Sequence, residues 1–375
     1  MTPNPYSHSR PKSSRRLRGL KFSTGVLIVS LFLPGCLSQG DQTLPNEVPT
    51  KVTPSHSPSI TSSPTPTITP IPSPTPTVTI SPTPDPFSGL TIEDLAKRSY
   101  GGGQLSIEET LSVNTEFTRV LFSYPSDELQ IYGFMNVPHG EGPFPVVLVL
   151  HGYVTPANYQ TLAYTRPYAD AIARAGFLVL HPNYRNHPPS EEGDNPFRVG
   201  YTIDVLNLIH LVQEQGGQPG PLEAANPLAV GLFGHSMGGG IAIRAITINP
   251  EVKAAVLYGA MSADEQKNYE KILQWSDGRV GQEELETPEE DFQRISPVYH
   301  LEHIRAAVSI HHGGEDAVVP REWSSELCSE LTDLNKNVEC FDYPDQPHSF
   351  SGEDYNLFIQ RVLEFFQLNL KDSQS

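Results

Sequence analysis

The sequence predicts an α/β fold, in which a mostly parallel sheet of eight strands is covered by helices on both faces. Short continuous apolar runs, typical of strands buried on both faces, recur between about residues 118 and 343. Longer amphipathic stretches lie between these runs, so that strands and helices alternate along the chain. Gly176 and Gly216 end two of these stretches, as expected where a helix gives way to the next strand.

The predicted sheet begins with an antiparallel pair and continues with six buried strands. In chain order the eight strands are 118–123, 130–137, 145–150, 177–180, 228–233, 254–258, 307–310 and 338–343. The helices are predicted over 166–175, 199–214, from 237 onward, 322–334 and 353–368. The interval 262–295 holds further helix-like stretches, one of them starting at Thr287-Pro288, and we expect it to form a small helical lid.

Residues 1–36 are predicted to be an export signal. A basic stretch ending at Lys21 precedes an apolar run over 26–33, which is too short to span a bilayer but long enough for a signal-peptide core. Leu33-Pro34-Gly35-Cys36 resembles a bacterial lipobox. The resemblance implies that Cys36 is lipidated and that a lipid anchor holds the protein on the outer face of a bacterial cell membrane. The alternative is an ordinary secretory signal, which would release the protein.

A linker is predicted over 37–86. Between residues 50 and 86, 28 of 37 positions are proline, threonine or serine, a composition that cannot bury a core and favours extended polyproline II. At about 3.1 Å per residue this stretch reaches roughly 115 Å, enough to hold a domain away from a membrane. The folded domain is therefore predicted over 87–372.

The chain carries 43 acidic and 25 basic residues, for a formal net charge of −18. A surface this acidic repels phosphate backbones, so nucleic acid is excluded as a partner. Three cysteines are too few for a disulfide scaffold or a four-thiolate zinc site. Apart from Cys36, they are Cys328, in a predicted helix, and Cys340, in the strand after it. These two are either joined by a disulfide or left as buried thiols.

The sharpest motif is Gly234-His235-Ser236-Met237-Gly238, which lies directly between a predicted buried strand and a predicted helix. This is the setting that a G-x-S-x-G nucleophile elbow requires. A serine on so tight a turn sits in a strained backbone conformation, which lifts its hydroxyl clear of the sheet. Gly234 and Gly238 stand where a β-carbon would collide across the turn. Ser236 is therefore the candidate nucleophile.

A serine nucleophile needs a base and an acid, which follow it in loops after later strands in the order serine, acid, histidine. Asp316 stands in the loop after the strand 307–310, and His348 stands between the last strand and the last helix. We expect His348 to exchange the proton of Ser236 and Asp316 to orient its ring. Glu315 is the alternative acid, although it should point the other way.

Two backbone N–H groups are expected to stabilise the oxyanion that forms during attack by Ser236. Met237 follows the nucleophile directly, and Tyr153 stands in the loop after the strand 145–150, where Gly152 permits a turn. His151 in the same loop is expected to orient or pack rather than to act as a base.

These residues resemble the α/β-hydrolases, and within them the catalytic domain of prolyl-oligopeptidase-type serine peptidases. The resemblance covers about residues 117–368 and rests on four motifs: His151-Gly152, Asn183-Tyr184-Arg185, the turn 234–239, and His312-Gly313-x-x-Asp316-x-x-Val319-Pro320 with His348 downstream. It implies the α/β-hydrolase fold, the triad of Ser236, Asp316 and His348, and oxyanion donors at Tyr153 and Met237. It also implies neither a metal ion nor an organic cofactor.

The expected reaction is hydrolysis of a peptide or small ester through an acyl-enzyme on Ser236, with a peptidase favoured by the motifs. Full-length peptidases of that family carry a β-propeller before the hydrolase domain, whereas the residues before 117 hold only the signal, the linker and some 30 further positions. Dienelactone-hydrolase-like and other carboxylesterases therefore fit as the alternative. A further alternative is a surface-anchored binding module that has lost activity.

Overall fold

The computed structural model describes residues 85–371. The export-signal and Cys36 predictions and nearly all of the linker prediction fall on residues outside this range. Among the described residues, no helix has both the length and the apolar character needed to cross a membrane.

Nine strands form one sheet in the described part of the chain. In chain order they are β1 (Ser106–Val113), β2 (Phe117–Ser126), β3 (Leu129–Pro138), β4 (Phe144–Leu150), β5 (Leu178–Pro182), β6 (Ala225–His235), β7 (Ala254–Tyr258), β8 (Ala307–Gly313) and β9 (Val338–Tyr343). Their spatial order is β1-β2-β3-β5-β4-β6-β7-β8-β9. The pairs β1–β2, β2–β3 and β3–β5 are antiparallel, and every later pair is parallel.

The prediction of eight strands was wrong by one, because it lacked β1. This strand lies at the edge of the sheet, and nearly all of its side chains are exposed on both faces. Its sequence, SIEETLSV, therefore shows neither a continuous apolar run nor a clean alternation. The mostly parallel α/β architecture is confirmed.

Helices cover both faces of this sheet. They are α1 (Ile92–Lys97), α2 (Arg166–Arg174), α3 (Val199–Gln215), α4 (Met237–Ile248), α5 (Glu265–Trp275), α6 (Glu289–Ile295), α7 (Arg321–Asp333) and α8 (Gly352–Phe366). Buried residues of α3, α4 and α7 form the apolar core on one face, and those of α2 and α8 form the core on the other. Strand β4 contributes Val146 and Leu148 to the first core and Val147 and Val149 to the second, which explains its uninterrupted apolar sequence.

The segment predicted as a lid contains α5, a short 3₁₀ turn over Glu284–Glu286, and α6. Buried Glu265, the first residue of α5, anchors this segment to the body of the domain. Its carboxylate accepts hydrogen bonds from Arg244 of α4, at 2.5 Å, and from Arg198 before α3. Two guanidinium groups therefore compensate the burial of one carboxylate.

The topology brings the candidate site residues to one edge of the sheet. Strands β4, β6, β7, β8 and β9 are neighbours and mutually parallel, so their carboxyl ends lie side by side. Tyr153, Ser236, Asp316 and His348 each follow the carboxyl end of one of these strands. In open α/β sheets, this edge is where ligands bind.

Cys328 of α7 and Cys340 of β9 are joined by a disulfide. The bond links the helix that follows the Asp316 loop to the strand that precedes the His348 loop. It closes a short loop with a sequence separation of 12 residues, which limits the freedom of the unfolded chain.

We expect Cys328→Ser/Cys340→Ser to lower the free energy of unfolding by about 3 kcal/mol, the value that loop-closure entropy assigns to a loop of this size. Denaturant titration of the two proteins measures the difference. Dithiothreitol should destabilise the wild type by a similar amount and leave the double variant unchanged. Equal stability of oxidised and reduced wild type would contradict this account.

Candidate active site

Ser236 occupies a strained turn between β6 and α4. Its backbone angles are φ 57° and ψ −120°, in a region that non-glycine residues rarely adopt. Two hydrogen bonds hold the residue there. Its N–H donates to the carbonyl of Tyr258 and its own carbonyl accepts from the N–H of Met261, both at 3.0 Å. Strand β7 and the residues that follow it thus hold Ser236 in this strained conformation.

The turn packs so closely that two of its positions have no room for a side chain. A β-carbon on Gly234 would lie 2.3 Å from the carbonyl oxygen of Gly238. A β-carbon on Gly238 would lie 2.1 Å from the carbonyl oxygen of Leu150, at the end of β4. Both distances are far below van der Waals contact, so the turn needs glycine at these positions.

Asp316 and His348 meet directly at the ends of β8 and β9. The Nδ1 atom of His348 lies 2.7 Å from Oδ2 of Asp316, and the Asp316 side chain is fully buried. The second carboxylate oxygen accepts the backbone N–H groups of Val318 and Val319, at 2.8 and 2.9 Å. Asp316 is therefore held rigidly while it contacts the imidazole. Glu315, the alternative acid, is exposed and donates its backbone N–H to Gln346.

Asp316 remains ionised in this environment. Burial by itself would raise the pKa of Asp316, but hydrogen bonds from His312 and His348 outweigh burial and hold the pKa well below its usual range. A permanently charged acceptor at Nδ1 favours the tautomer in which His348 carries a proton on that nitrogen. The Nε2 atom of a neutral His348 ring is then free to accept a proton.

His312 belongs to the motif around Asp316, but the sequence alone predicts no role for it. His312 is buried, and its Nε2 lies 3.1 Å from the carbonyl oxygen of Val319 and 3.2 Å from Oδ2 of Asp316. Both of these atoms are acceptors, so Nε2 carries the proton and donates it. The position of His312, four residues before Asp316, is the sequence feature that could have indicated this contact.

His348 lies beside His235, which precedes Ser236, and beside Gly259, which follows β7. Its ring centroid is 4.7 Å from that of His235, and its Nδ1 would be 3.2 Å from a β-carbon on Gly259, the residue after Tyr258. Among the described residues, no hydrogen bond joins the Ser236 hydroxyl to His348. The structure thus brings the acid and the base into contact and places the base beside the serine turn.

The expected oxyanion donors flank Ser236. A β-carbon on Gly152 would lie 3.0 Å from Cβ of Ser236, so the loop that carries Tyr153 passes directly beside the serine. Met237 is the first residue of α4, where backbone N–H groups have no intrahelical acceptor. Within residues 85–371, neither the Tyr153 nor the Met237 amide donates to a protein group, which leaves both available to an incoming oxygen.

His151 beside this loop is enclosed rather than reactive. Its two ring nitrogens lie 2.7 Å from the carbonyl oxygen of Gly152 and 3.0 Å from that of Asn183, and its ring packs on Tyr184. Burial lowers the pKa of His151 to about 4. His151 therefore supports the loop of Gly152 and Tyr153, called the oxyanion loop below, through packing and hydrogen bonding. This agrees with the role expected from its sequence position.

The sequence of this domain is similar to sequences of known proteins. Residues 131–364 match the dienelactone hydrolase family. The chain is 24% identical over 282 residues to a Synechocystis sp. protein named "Putative carboxymethylenebutenolidase", with 69% of this chain and 100% of that protein covered.

Two solved structures share the fold. An acylaminoacyl peptidase of Pyrococcus horikoshii superposes with a TM-score of 0.57 at 22% identity, covering 68% of this chain but only 42% of that one. Acetyl xylan esterase 1 of Thermoanaerobacterium sp. superposes with a TM-score of 0.53 at 18% identity, covering 70% of this chain and 88% of the esterase. Both peptidase and esterase folds are thus similar to this domain.

The ionised Asp316 carboxylate should make stability depend on pH. Because its pKa is lowered by folding, it stabilises the fold above the ordinary aspartate pKa of about 3.9, and this contribution is lost as the pH falls below that value. We expect the difference in unfolding free energy between wild type and Asp316→Asn to be large at pH 7 and to shrink toward pH 3. Denaturant titrations at both pH values measure it.

Asp345→Asn is the matched control, because Asp345 is exposed in the loop that carries His348. We expect it to change stability little at either pH. A difference for Asp316→Asn that is constant from pH 7 to pH 3 would argue against the buried, ionised carboxylate.

Proposed function

The chain belongs to the dienelactone hydrolase family, and we propose that it is a serine hydrolase whose catalytic triad is Ser236, Asp316 and His348. The observation that carries this proposal is the Asp316–His348 hydrogen bond beside the strained Ser236 turn. An imidazole held at Nδ1 by an ionised carboxylate presents Nε2 as a base, which is what a serine hydroxyl needs to become a nucleophile.

The reaction proceeds through two acyl transfers. The Ser236 oxygen attacks the substrate carbonyl carbon while Nε2 of His348 takes the hydroxyl proton. The carbonyl oxygen becomes an oxyanion, which the amides of Tyr153 and Met237 stabilise. Collapse of this intermediate breaks the bond to the leaving group, which receives the proton from His348. Water, deprotonated in turn by His348, then attacks the acyl-enzyme. The bond to the Ser236 oxygen breaks, this oxygen takes the proton back from His348, and the acid is released.

We propose that the substrate is a carboxylic ester, whose ester bond the enzyme hydrolyses. The family match supports this choice, as does the coverage of the Synechocystis protein over its full length. The match to the acylaminoacyl peptidase covers less than half of that chain. A peptide bond is the second candidate, favoured by the similarity of the fold to that peptidase.

Replacing the proposed nucleophile tests the mechanism. We expect Ser236→Ala to lower turnover of an activated aryl ester by about 10⁶-fold, because without the hydroxyl no acyl-enzyme can form. A fluorophosphonate probe should label the wild type and not the variant. Ser325→Ala, which removes an exposed serine on α7, is the control and should be labelled like the wild type. Loss of less than tenfold in Ser236→Ala would refute the assignment, and an unlabelled wild type would favour a binding module.

A substrate panel distinguishes the two candidate bonds. We expect short-chain aryl esters to be hydrolysed with a kcat/KM at least about tenfold above that of aminoacyl and acylaminoacyl anilides, because the proposed substrate is an ester. Both leaving groups can be followed by the same absorbance assay. Ser236→Ala serves as the blank for each substrate. Faster cleavage of the anilides would replace the esterase proposal by the peptidase.

A further inference from the structure

A chain of two hydrogen bonds runs from the rim of the site to the backbone of His348. The hydroxyl of Tyr164 lies 2.6 Å from Nδ1 of His235, and Nε2 of His235 lies 3.0 Å from the carbonyl oxygen of His348. A carbonyl oxygen can only accept, so Nε2 of His235 carries a proton and donates it. In the neutral ring Nδ1 is then an acceptor, and the Tyr164 hydroxyl is its donor.

Desolvation keeps both groups of this chain uncharged. His235 is fully buried, and burial, followed by the proximity of His348, lowers the pKa of His235 to about 3. Tyr164 is 42% exposed, but its hydroxyl lies against Gly152 and His235, and desolvation there raises the pKa of Tyr164, so that the hydroxyl stays protonated. The direction of both hydrogen bonds is therefore constant over the pH range in which an ordinary imidazole, with a pKa of about 6.5, changes its charge.

Tyr164 reaches this position through an unusual backbone conformation. Its φ of 58° lies in the left-handed region, which non-glycine residues seldom adopt without a supporting reason. The hydroxyl would be 2.8 Å from a β-carbon on Gly152, and that β-carbon would be 3.0 Å from Cβ of Ser236. The tyrosine therefore lies against the oxyanion loop while it bonds to the residue that precedes the nucleophile.

The hydrogen-bond chain connects segments that belong to three different strands. Tyr164 lies after β4 and contacts Gly152, His235 ends β6, and His348 follows β9. The imidazole of His348 contacts Asp316 through one nitrogen only, and a single hydrogen bond lets a ring pivot. Fixing the carbonyl of the same residue adds a second point of attachment. Tyr258 stacks on His235 with ring centroids 4.3 Å apart, which holds the bridging imidazole in place.

We propose that Tyr164 and His235 are positioning residues that hold the backbone of His348, so that its Nε2 faces Ser236. This inference rests on the proposed hydrolase function. Neither residue exchanges a proton with the substrate. Their effect is on the fraction of enzyme in which the base is aligned, so removing them should lower kcat and leave KM nearly unchanged.

Kinetics of four single variants and of the double variant Tyr164→Phe/His235→Phe test the proposal. We expect Tyr164→Phe and His235→Phe each to lower kcat for the aryl ester about tenfold, the effect of losing one hydrogen bond, with KM changed less than about twofold. The two substitutions should not be additive, because each one breaks the same chain. His235→Gln retains a donor and an acceptor and should recover most of the activity lost in His235→Phe. Tyr100→Phe, which removes a hydroxyl bonded to the Leu95 carbonyl, is the control and should match the wild type.

A second measurement does not depend on activity. The ¹⁵N chemical shifts of His235 should show a protonated Nε2 and an unprotonated Nδ1 from pH 5 to 9, and Tyr164→Phe should shift Nδ1 specifically. Melting temperatures show whether His235→Phe folds, and Tyr164→Phe and His235→Gln decide the matter if it does not.

Three results would overturn the inference: kcat of Tyr164→Phe within twofold of the wild type, additive effects of the two phenylalanine substitutions, or titration of His235 near the ordinary imidazole pKa. A Ser236→Ala variant that retained activity would overturn the proposed function instead. The two failures are therefore distinguishable.

Discussion

The geometry of the site depends on how tightly the Ser236 turn is enclosed between β4 and β7. The carbonyl of Leu150 leaves no room for a β-carbon on Gly238, and the backbone of Ser236 is bonded on both sides to the segment around Tyr258. A residue in so unfavourable a conformation persists only when its surroundings determine it. The Gly152 loop passes beside Cβ of Ser236, and the His348 ring packs against His235, the residue before Ser236. The reactive geometry is thus a consequence of backbone packing.

Burial then decides which polar groups in this region carry charge. Asp316 is buried but ionised, because two histidines and two backbone N–H groups donate to it. His151 and His235 are buried without a carboxylate partner, and their pKa values fall to about 4 and about 3. They act as uncharged hydrogen-bonding groups. His348, unlike His151 and His235, forms a hydrogen bond to the Asp316 carboxylate.

The amino-acid sequence by itself determined the elements with a local signature. Buried strands such as β4 show as uninterrupted apolar runs because both of their faces contact other layers. The Ser236 turn is recognisable in the sequence because its sterically required glycines fall within five consecutive positions. The order of Ser236, Asp316 and His348 follows from the order of the strands that carry them. Strand β1 had no such signature, because an exposed edge strand needs no apolar face.

Only the tertiary structure decided the contacts between distant side chains. Whether Cys328 and Cys340 are bridged depends on how α7 packs beside β9, which spacing along the chain leaves open. Two further features also depend on how the folded chain packs. One is the contact of His312 with Asp316, and the other is the hydrogen-bond chain from Tyr164 through His235 to the His348 carbonyl. Each joins groups that folding brings together. Such pairings arise from the packing of whole elements, so no local pattern of residues encodes them.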